Sequence, residues 1–235
     1  MTFMFHYAPE VTDAFPSLVS QALVLGGIAQ VAQRALEPEA SLLAAALTRL
    51  AANAEGEWPE IQAWRRAFSQ MGFKPTQYRS AAESLLRRLR KEGSLPQVHP
   101  LVDLCNAVSV AHATPIAVFD LACVEQTLTV RRADGSERYL SFSGEIERPE
   151  PGEIIFADAA GNAHARRWTH RQSALSAITA NTARALIVAE ALHADAAARM
   201  PRLVADLRAA VTARWPDATI SELVLQRGDW RSAPA

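Results

Sequence analysis

The chain has 235 residues, of which 49% are apolar, and carries 24 basic against 25 acidic residues for a net charge of −1. A chain of this size buries roughly 70% of its unfolded surface, and its near-zero charge supplies no global pull toward nucleic acid or membrane. Its start shows no basic stretch followed by an apolar core, and its apolar runs fall short of the roughly 18 residues a membrane helix needs; Glu190, for example, breaks the run at 185–192. Two cysteines, Cys105 and Cys123, make neither a disulfide framework nor a Cys-x-x-Cys metal pattern. A soluble, cytoplasmic protein without a membrane partner is expected.

In chain order, residues 3–7 alternate around aromatics and predict a strand, and 19–28 predict a second, closed by Gly26-Gly27. Residues 37–53 place Leu42, Leu43, Ala46, Leu47 and Leu50 at helical spacing, with Glu37 and Glu39 where acids suit the helix dipole. A second helix starts near Trp58-Pro59-Glu60, since proline is favoured in a first turn, and carries Ile61, Trp64 and Phe68 to a stop at Gly72. Residues 80–91 form the best-determined helix. Ser80 and Glu83 have the spacing of a capping box, in which each side chain satisfies an orphan backbone N–H. Ala82, Leu85, Leu86 and Leu89 are its buried stripe.

Pro96 and Pro100 bracket an extended loop before a short buried helix at 102–111. From Thr127 the period changes toward two. Asp134-Gly135 is a hairpin signal, with 139–142 as the return strand. Glu150-Pro151-Gly152-Glu153 is a further turn, leading to strands at 154–158 and 163–168. Residues 194–214 form an amphipathic helix with Leu203, Leu207, Ala210 and Val211 inward. Residues 220–225 close as a strand, and 231–235 read as a frayed tail. Helices and hairpins mixed without regular βαβ alternation indicate an α+β fold.

Motifs for nucleotide hydrolysis, dinucleotide redox, zinc proteolysis and the α/β-hydrolase mechanism are absent, and the pattern calls for no cofactor and no metal. Cys105 is a conceivable thiol nucleophile, but His112 lies seven positions on, about 10.5 Å along a helix, and a buried free cysteine is usually a small apolar residue. Asn106 and Ser109 share one face of their helix, either as local caps or as the polar floor of a pocket. The run Arg166-Arg167-Trp168-Thr169-His170-Arg171 is the densest basic-aromatic cluster. Either a base stacks on Trp168 while Arg171 meets a phosphate, or this is a strand end with solvated arginines and a core tryptophan. Residues 60–92 carry eight basic against three acidic residues, net +5, as a surface for an acidic backbone or as a solvated helix face. Arg79, which precedes the cap, is the better functional candidate there.

Several spaced motifs occur in one order. They are Lys74-Pro75, Tyr78-Arg79-Ser80-Ala81-Ala82-Glu83-Ser84-Leu85, Leu95-Pro96, His99-Pro100-Leu101-Val102-Asp103-Leu104-Cys105-Asn106-Ala107-Val108-Ser109, Ala117-Val118-Phe119-Asp120 and Arg166 to Arg171. Together they resemble the B3/B4 domain of the phenylalanyl-tRNA synthetase β subunit, the editing module that hydrolyses wrongly charged tRNA, and especially its free-standing bacterial relatives. His99 stands where Asn is usual, and Thr169-His170 replaces Asn-Trp. The resemblance is most specific over 74–171. It implies a single B3/B4-like domain over 1–230, with an N-terminal part (1–72), a motif-bearing core (73–192) and a C-terminal helix and strand (193–230). It also favours a strand at 185–189.

It implies further that the protein binds the aminoacylated end of tRNA through candidates Arg79, Ser80, Glu83, Asn106, Ser109, Asp120, Arg167, Trp168 and Arg171, and that it hydrolyses a mischarged ester in trans. In the synthetase pocket a Thr-Asn pair follows the Val-Asp, a His precedes Ala-Phe-Asp, and a Met-Gly-Gly-Glu element supplies an acid. Here Cys105-Asn106 and Ala117 occupy the first two places, and no acid stands at 168–172. The alternatives are a non-catalytic tRNA- or amino-acid-binding module and a small ester or amide hydrolase.

Overall fold

The computed structural model describes residues 3–28, 37–226 and 229–232. In it the strands are β1 (Met4–Tyr7), β2 (Val19–Gly26), β3 (Ile116–Asp120), β4 (Thr127–Arg132), β5 (Tyr139–Leu140), β6 (Ile146–Glu147), β7 (Ile154–Asp158), β8 (Ala163–Arg166), β9 (Arg171–Gln172), β10 (Arg184–Ala191), β11 (Thr219–Gln226) and β12 (Asp229–Ser232). The helices are α1 (Pro9–Ala14), α2 (Glu37–Ala52), α3 (Pro59–Gln70), α4 (Ala81–Glu92), α5 (Pro100–His112) and α6 (Ala196–Arg214). The fold is α+β, as expected.

Ten strands form one sheet in the order β3-β10-β2-β11-β12-β1-β4-β7-β8-β9, and β5 pairs with β6 beside it. The sheet curls until its two ends meet. Phe119 of β3 packs on Phe156 of β7 at 5.3 Å, and the Gln172 amide of β9 donates to the Val118 carbonyl of β3 at 2.5 Å. The concave face holds Phe5, Tyr7, Leu128, Val130, Phe156, Trp168, Leu186 and Val188, capped by Trp64 and Phe68 of α3. The convex face over β2 and β10 is covered by α5 and α6 through Leu101, Leu104, Val108, Leu203, Leu207 and Val211. The predicted inward stripe of α6 is therefore the one observed.

Several expectations change. Ser80 accepts the Glu83 N–H at 3.3 Å as a cap should, but the Glu83 carboxylate turns to Arg65 (2.6 Å) and Arg79 (3.5 Å) instead of back to the cap. Pro100 is the first residue of α5 and not part of the loop; the His99 ring accepts the Leu101 N–H at 3.2 Å to start the helix. Asp134-Gly135 does not make the expected hairpin. Glu137 takes the N–H groups of both residues at 3.1 Å and turns the chain away, so β4 pairs with β1 and β7 while β5 pairs with β6. The strand expected through 168 ends at Arg166, because Arg167 and Trp168 adopt left-handed φ values of 46° and 56°. Arg231 and Ser232, expected in a tail, pair with Val224 and Leu223; residues 233–235 lie outside the described residues.

Candidate substrate-binding cleft

Alternation along β10 decides what faces the concave side. Ala185, Ile187, Ala189 and Ala191 join the helix-covered cluster, whereas Leu186, Val188 and Leu192 join the inner one. Glu190 shares the parity of the second set, so a carboxylate points into the curled sheet at 1% exposure. Its Oε1 accepts from the Trp168 indole N–H at 2.7 Å and lies 2.7 Å from Tyr7 Oη, which in turn lies 2.8 Å from Ser20 Oγ. The hydrogen bonds described to Glu190 all end on Oε1, leaving Oε2 for the cleft that Glu190 lines. Burial raises its pKa to about 7, against the lowering effect of the two donors.

The left-handed corner at Arg167–Trp168 is what presents the indole. A non-glycine residue in that region is uncommon and two in succession more so, so surrounding contacts must hold them. The Trp168 N–H donates to the Ile154 carbonyl at 2.6 Å, the Ala81 N–H to the Thr169 carbonyl at 2.8 Å, and the Arg167 N–H to Glu153 at 3.2 Å. The indole packs edge-on against Phe15 (4.8 Å) and Trp64 (5.0 Å). Arg166 is buried between Glu153 and Glu147, both at 2.6 Å.

The cleft opens in the seam between the ends of the sheet. It has a volume of about 60 Å³, and its walls include Ile116, Ala117, Phe156 and Trp168, with Thr169, His170, Arg171, Gln172 and Glu190 as polar groups. The pairing of β3 with β10 matches Ala117 to Val188 and Ile116 to Ala189. Because the Glu190 N–H reaches the Pro115 carbonyl and the Val118 carbonyl faces Gln172, alternation turns the Ile116 N–H away from β10 and toward the seam. The imidazole of His170 lies 2.8 Å from the Arg79 carbonyl through Nδ1; that nitrogen is the donor, so Nε2 carries the lone pair. Burial lowers the His170 pKa and keeps the ring neutral. Thr169 Oγ1 is buried and has no hydrogen-bond partner among the described residues.

Among the residues expected at the site, Arg171 lines the cleft and Trp168 forms its wall. The indole is fully buried, so the expectation of a base stacked on its face is overturned. Arg79 contributes its carbonyl to His170, while its guanidinium pairs with Glu83. Ser80 and Glu83 are the helix cap and a buried ion-pair partner. Arg167 stands beside the corner with its guanidinium over Tyr78 at 4.7 Å, a cation–π contact. Asn106 is partly exposed on α5 and does not line the cleft. Ser109 is fully buried and donates to the Thr114 carbonyl at 2.7 Å, which makes it a helix-end tie and not a pocket floor. Asp120 caps the turn after β3 by accepting from the Ala122 N–H (2.9 Å) and Thr182 hydroxyl (2.6 Å). Burial pushes the Cys105 thiol strongly up, which removes it as a nucleophile.

Glu190, Tyr7 and His170 are the groups that sequence reasoning did not assign. The signal for Glu190 was an acid interrupting the apolar run at 185–192, and that for His170 was its place in the basic-aromatic run at 166–171. A carboxylate thus reaches the cleft from β10, and an imidazole from the corner itself. Among the described residues no cluster of three His, Cys, Asp or Glu side chains is arranged to hold a metal ion, and no helix is long and apolar enough to cross a membrane.

The β subunit of phenylalanine–tRNA ligase from Cereibacter sphaeroides is 33% identical over 76 residues, which is 32% of this chain and 9% of that protein. The Bradyrhizobium diazoefficiens subunit is 35% identical over 79 residues, 34% of this chain and 10% of that protein. The matches therefore span about a tenth of the relatives' length. An N-terminal fragment of the phenylalanyl-tRNA synthetase β-subunit from Pyrococcus horikoshii superposes over 100% of this chain and 55% of its own, with a TM-score of 0.54 at 10% identity, a likeness of fold. The family model of the B3/4 domain matches residues 63–214, the span that holds β3, α5, the left-handed corner and Glu190, and the chain belongs to that family.

Proposed function

We propose that this protein hydrolyses the ester of a mischarged aminoacyl-tRNA in trans, as a single domain built from residues 1–230. The observation that carries the reading is Glu190: a carboxylate with a pKa of about 7, lining a cleft, in a domain related to a synthetase subunit. A pKa near the working pH is what a general base needs, and an aminoacyl ester is activated enough that placing one water and polarising the carbonyl carry most of the barrier.

In this mechanism Glu190 Oε2 takes a proton from water as the water oxygen bonds to the ester carbonyl carbon. The Ile116 N–H supports the oxyanion. The carbon–oxygen bond to the ribose then breaks, and the proton held by Glu190 passes to the departing ribose oxygen, giving a free amino acid and an uncharged tRNA. Neutral His170 accepts a hydrogen bond from the substrate's ammonium at the mouth, and Arg171 with Arg167 and Arg79 holds the 3′ end of the tRNA.

The test is a deacylation panel of correctly and wrongly charged tRNAs with wild type and Glu190→Gln. We expect at least one mischarged tRNA to be cleared by wild type, with the rate falling roughly 100-fold or more in the variant. Full activity in Glu190→Gln removes Glu190 as the base. Salt-sensitive tRNA binding without turnover identifies a non-catalytic binding module instead. A small-ester or amide hydrolase is the second reading. It is favoured by the pairing of basic groups near the cleft with acids, Arg171 with Glu147 at 3.3 Å and Arg79 with Glu83 at 3.5 Å, which leaves less charge for phosphate.

A further inference from the structure

Resting on the reading of Glu190 as the base, we infer that Tyr7 is a positioning residue of the site: with Trp168 it fastens one oxygen of the Glu190 carboxylate and leaves the other as the oxygen presented to the cleft. Ser20 completes the arrangement by aligning the Tyr7 hydroxyl from its far side. Two independent observations lead there, the placement of three side chains by strand register and the convergence of two donors on a single atom.

Register brings the three side chains together. In the antiparallel pairing of β2 with β10, Ser20 stands directly opposite Glu190, so the two are neighbours on one face of the sheet. Along β1, alternation turns Phe5 and Tyr7 inward, and the Tyr7 ring packs edge-on against Phe5 at 5.3 Å. Its hydroxyl then meets both partners, 2.7 Å from Glu190 Oε1 and 2.8 Å from Ser20 Oγ. A phenol has a single proton to give. The carboxylate is the stronger acceptor, since charge-assisted hydrogen bonds exceed neutral ones, so Tyr7 donates to Glu190 and the Ser20 hydroxyl donates to the Tyr7 oxygen. Burial, reinforced by the neighbouring carboxylate, raises the Tyr7 pKa well above its ordinary value, so this donor is present throughout the working range of pH.

The donors converge on one side of the carboxylate. Trp168 reaches Oε1 from the left-handed corner and Tyr7 reaches it from β1, both at 2.7 Å. A carboxylate held by one donor can turn about its last bond and exchange its oxygens; two donors from different elements oppose that exchange. Oε2 is not among the sealed polar atoms that lack a partner, so it keeps its access to the cleft. A base already fixed in direction spares the reaction the cost of orienting it. Among the described residues that line the cleft with Glu190, the titratable or charged groups are His170, kept neutral by burial, and Arg171, tied to Glu147 at 3.3 Å. Behind the carboxylate stand Tyr7, Ser20 and Trp168. The charge on Glu190 is therefore governed by its burial and by its two donors.

The experiment uses the full chain and the mischarged tRNA that wild type clears fastest. It measures kcat and KM for deacylation from about pH 5 to 9, and in parallel follows the Glu190 carboxyl by NMR of carbon-labelled glutamate, assigned with Glu190→Gln. Tyr7→Phe keeps the ring and removes the donor. A base works only when deprotonated, and losing a donor raises the proton affinity of a carboxylate. The expected result is an acid limb of kcat displaced upward by about one pH unit, with KM unchanged and the loss closing toward the alkaline end. The NMR midpoint should move by the same amount. Ser20→Ala should displace both in the same direction by less, and the double variant should match Tyr7→Phe alone, because Ser20 acts through Tyr7. A rate lowered by one factor at every pH, with the NMR midpoint unmoved, makes Tyr7 a packing residue and overturns the inference while the hydrolase reading stands; so does a Tyr7→Phe variant with the rates and midpoint of wild type. If Tyr7→Phe does not fold, Ser20→Ala decides: a raised midpoint upholds the inference and an unmoved one overturns it. Absence of turnover on every ester by wild type overturns the hydrolase reading, and the NMR arm then decides: a midpoint raised in Tyr7→Phe upholds the positioning of Glu190, and an unmoved one overturns it.

Discussion

Two buried carboxylates make an instructive pair. Asp158, at the end of β7, accepts from the N–H groups of Glu125 (3.2 Å), Ala160 (3.0 Å) and Asn162 (2.8 Å), from the Asn162 amide (3.0 Å), and contacts His164 Nε2 at 3.1 Å. His164 in turn reaches Ser176 at 2.9 Å. This acid, imidazole and hydroxyl have the composition of a hydrolytic triad, yet His164 and Ser176 are fully buried and none of the three lines the cleft. Glu190 has two donors, both on one oxygen, and a cleft in front of the other. Burial acts on both carboxylates but more fully on Glu190, and the number of donors differs as well. Five contacts hold Asp158 well below the usual carboxylate range, while two leave Glu190 near neutrality. The well-satisfied acid fastens the fold, and the under-satisfied one is available for chemistry.

This contrast can be broken from either side. The largest stability effect belongs to Asp158→Ala, which strands His164 and several backbone donors. A loss of about 4 kcal/mol is expected from breaking a buried hydrogen-bonded pair, measured by urea denaturation. A loss below about 1 kcal/mol would make the His164 network decorative. The next effect is a pH dependence. Glu190 has a folded pKa of about 7 against an ordinary value of 4.5, so the folded state binds more protons between those values. Stability is retained below about pH 4.5 and declines as pH rises through 7, by about 3 kcal/mol in total. Asp158 runs the other way, since its depressed value adds stability above the ordinary carboxylate range that is lost on acidification. Denaturation curves of Glu190→Gln from pH 5 to 8 should lack the decline between about pH 5 and 7; an unchanged slope assigns it elsewhere. The smallest effect is Cys105→Ala, which trims a fully buried thiol from α5. A cost of about 1 kcal/mol and an unchanged deacylation rate are expected; a lost rate would restore the thiol to the mechanism.

Local features were legible in the sequence because their causes are local. The Ser80 cap, the Leu86 and Leu89 stripe and the inward face at Leu203 and Leu207 follow from spacings within one helix. Strand pairing was less so. Nothing near Met4 announces that β1 lies parallel to β4, 123 positions away in the Met4–Thr127 pair, and antiparallel to β12. The Asp134-Gly135 signal is a sound turn, but the Glu137 carboxylate takes its N–H groups and redirects the chain. The cleft was legible only in part. The motif run around 166–171 marks its wall, while its acid showed merely as an interruption. Parity along β10 places Glu190 with Leu186 and Val188, but which parity faces inward depends on where α5 and α6 pack, and its partner Tyr7 comes from 183 positions away.

The seam between β3 and β9 has a further consequence, in association. A sheet that stops short of closing leaves two edges, and an edge with unpaired backbone groups is a template for another chain. In this molecule the edge that borders the cleft is also an edge open to stray strand pairing. The sequence answers with brevity and obstruction: β9 is two residues long, and the Gln172 amide occupies the Val118 carbonyl. Lengthening β9 or removing Gln172 would thus turn the opening at the seam into a landing strip for a second copy of the chain.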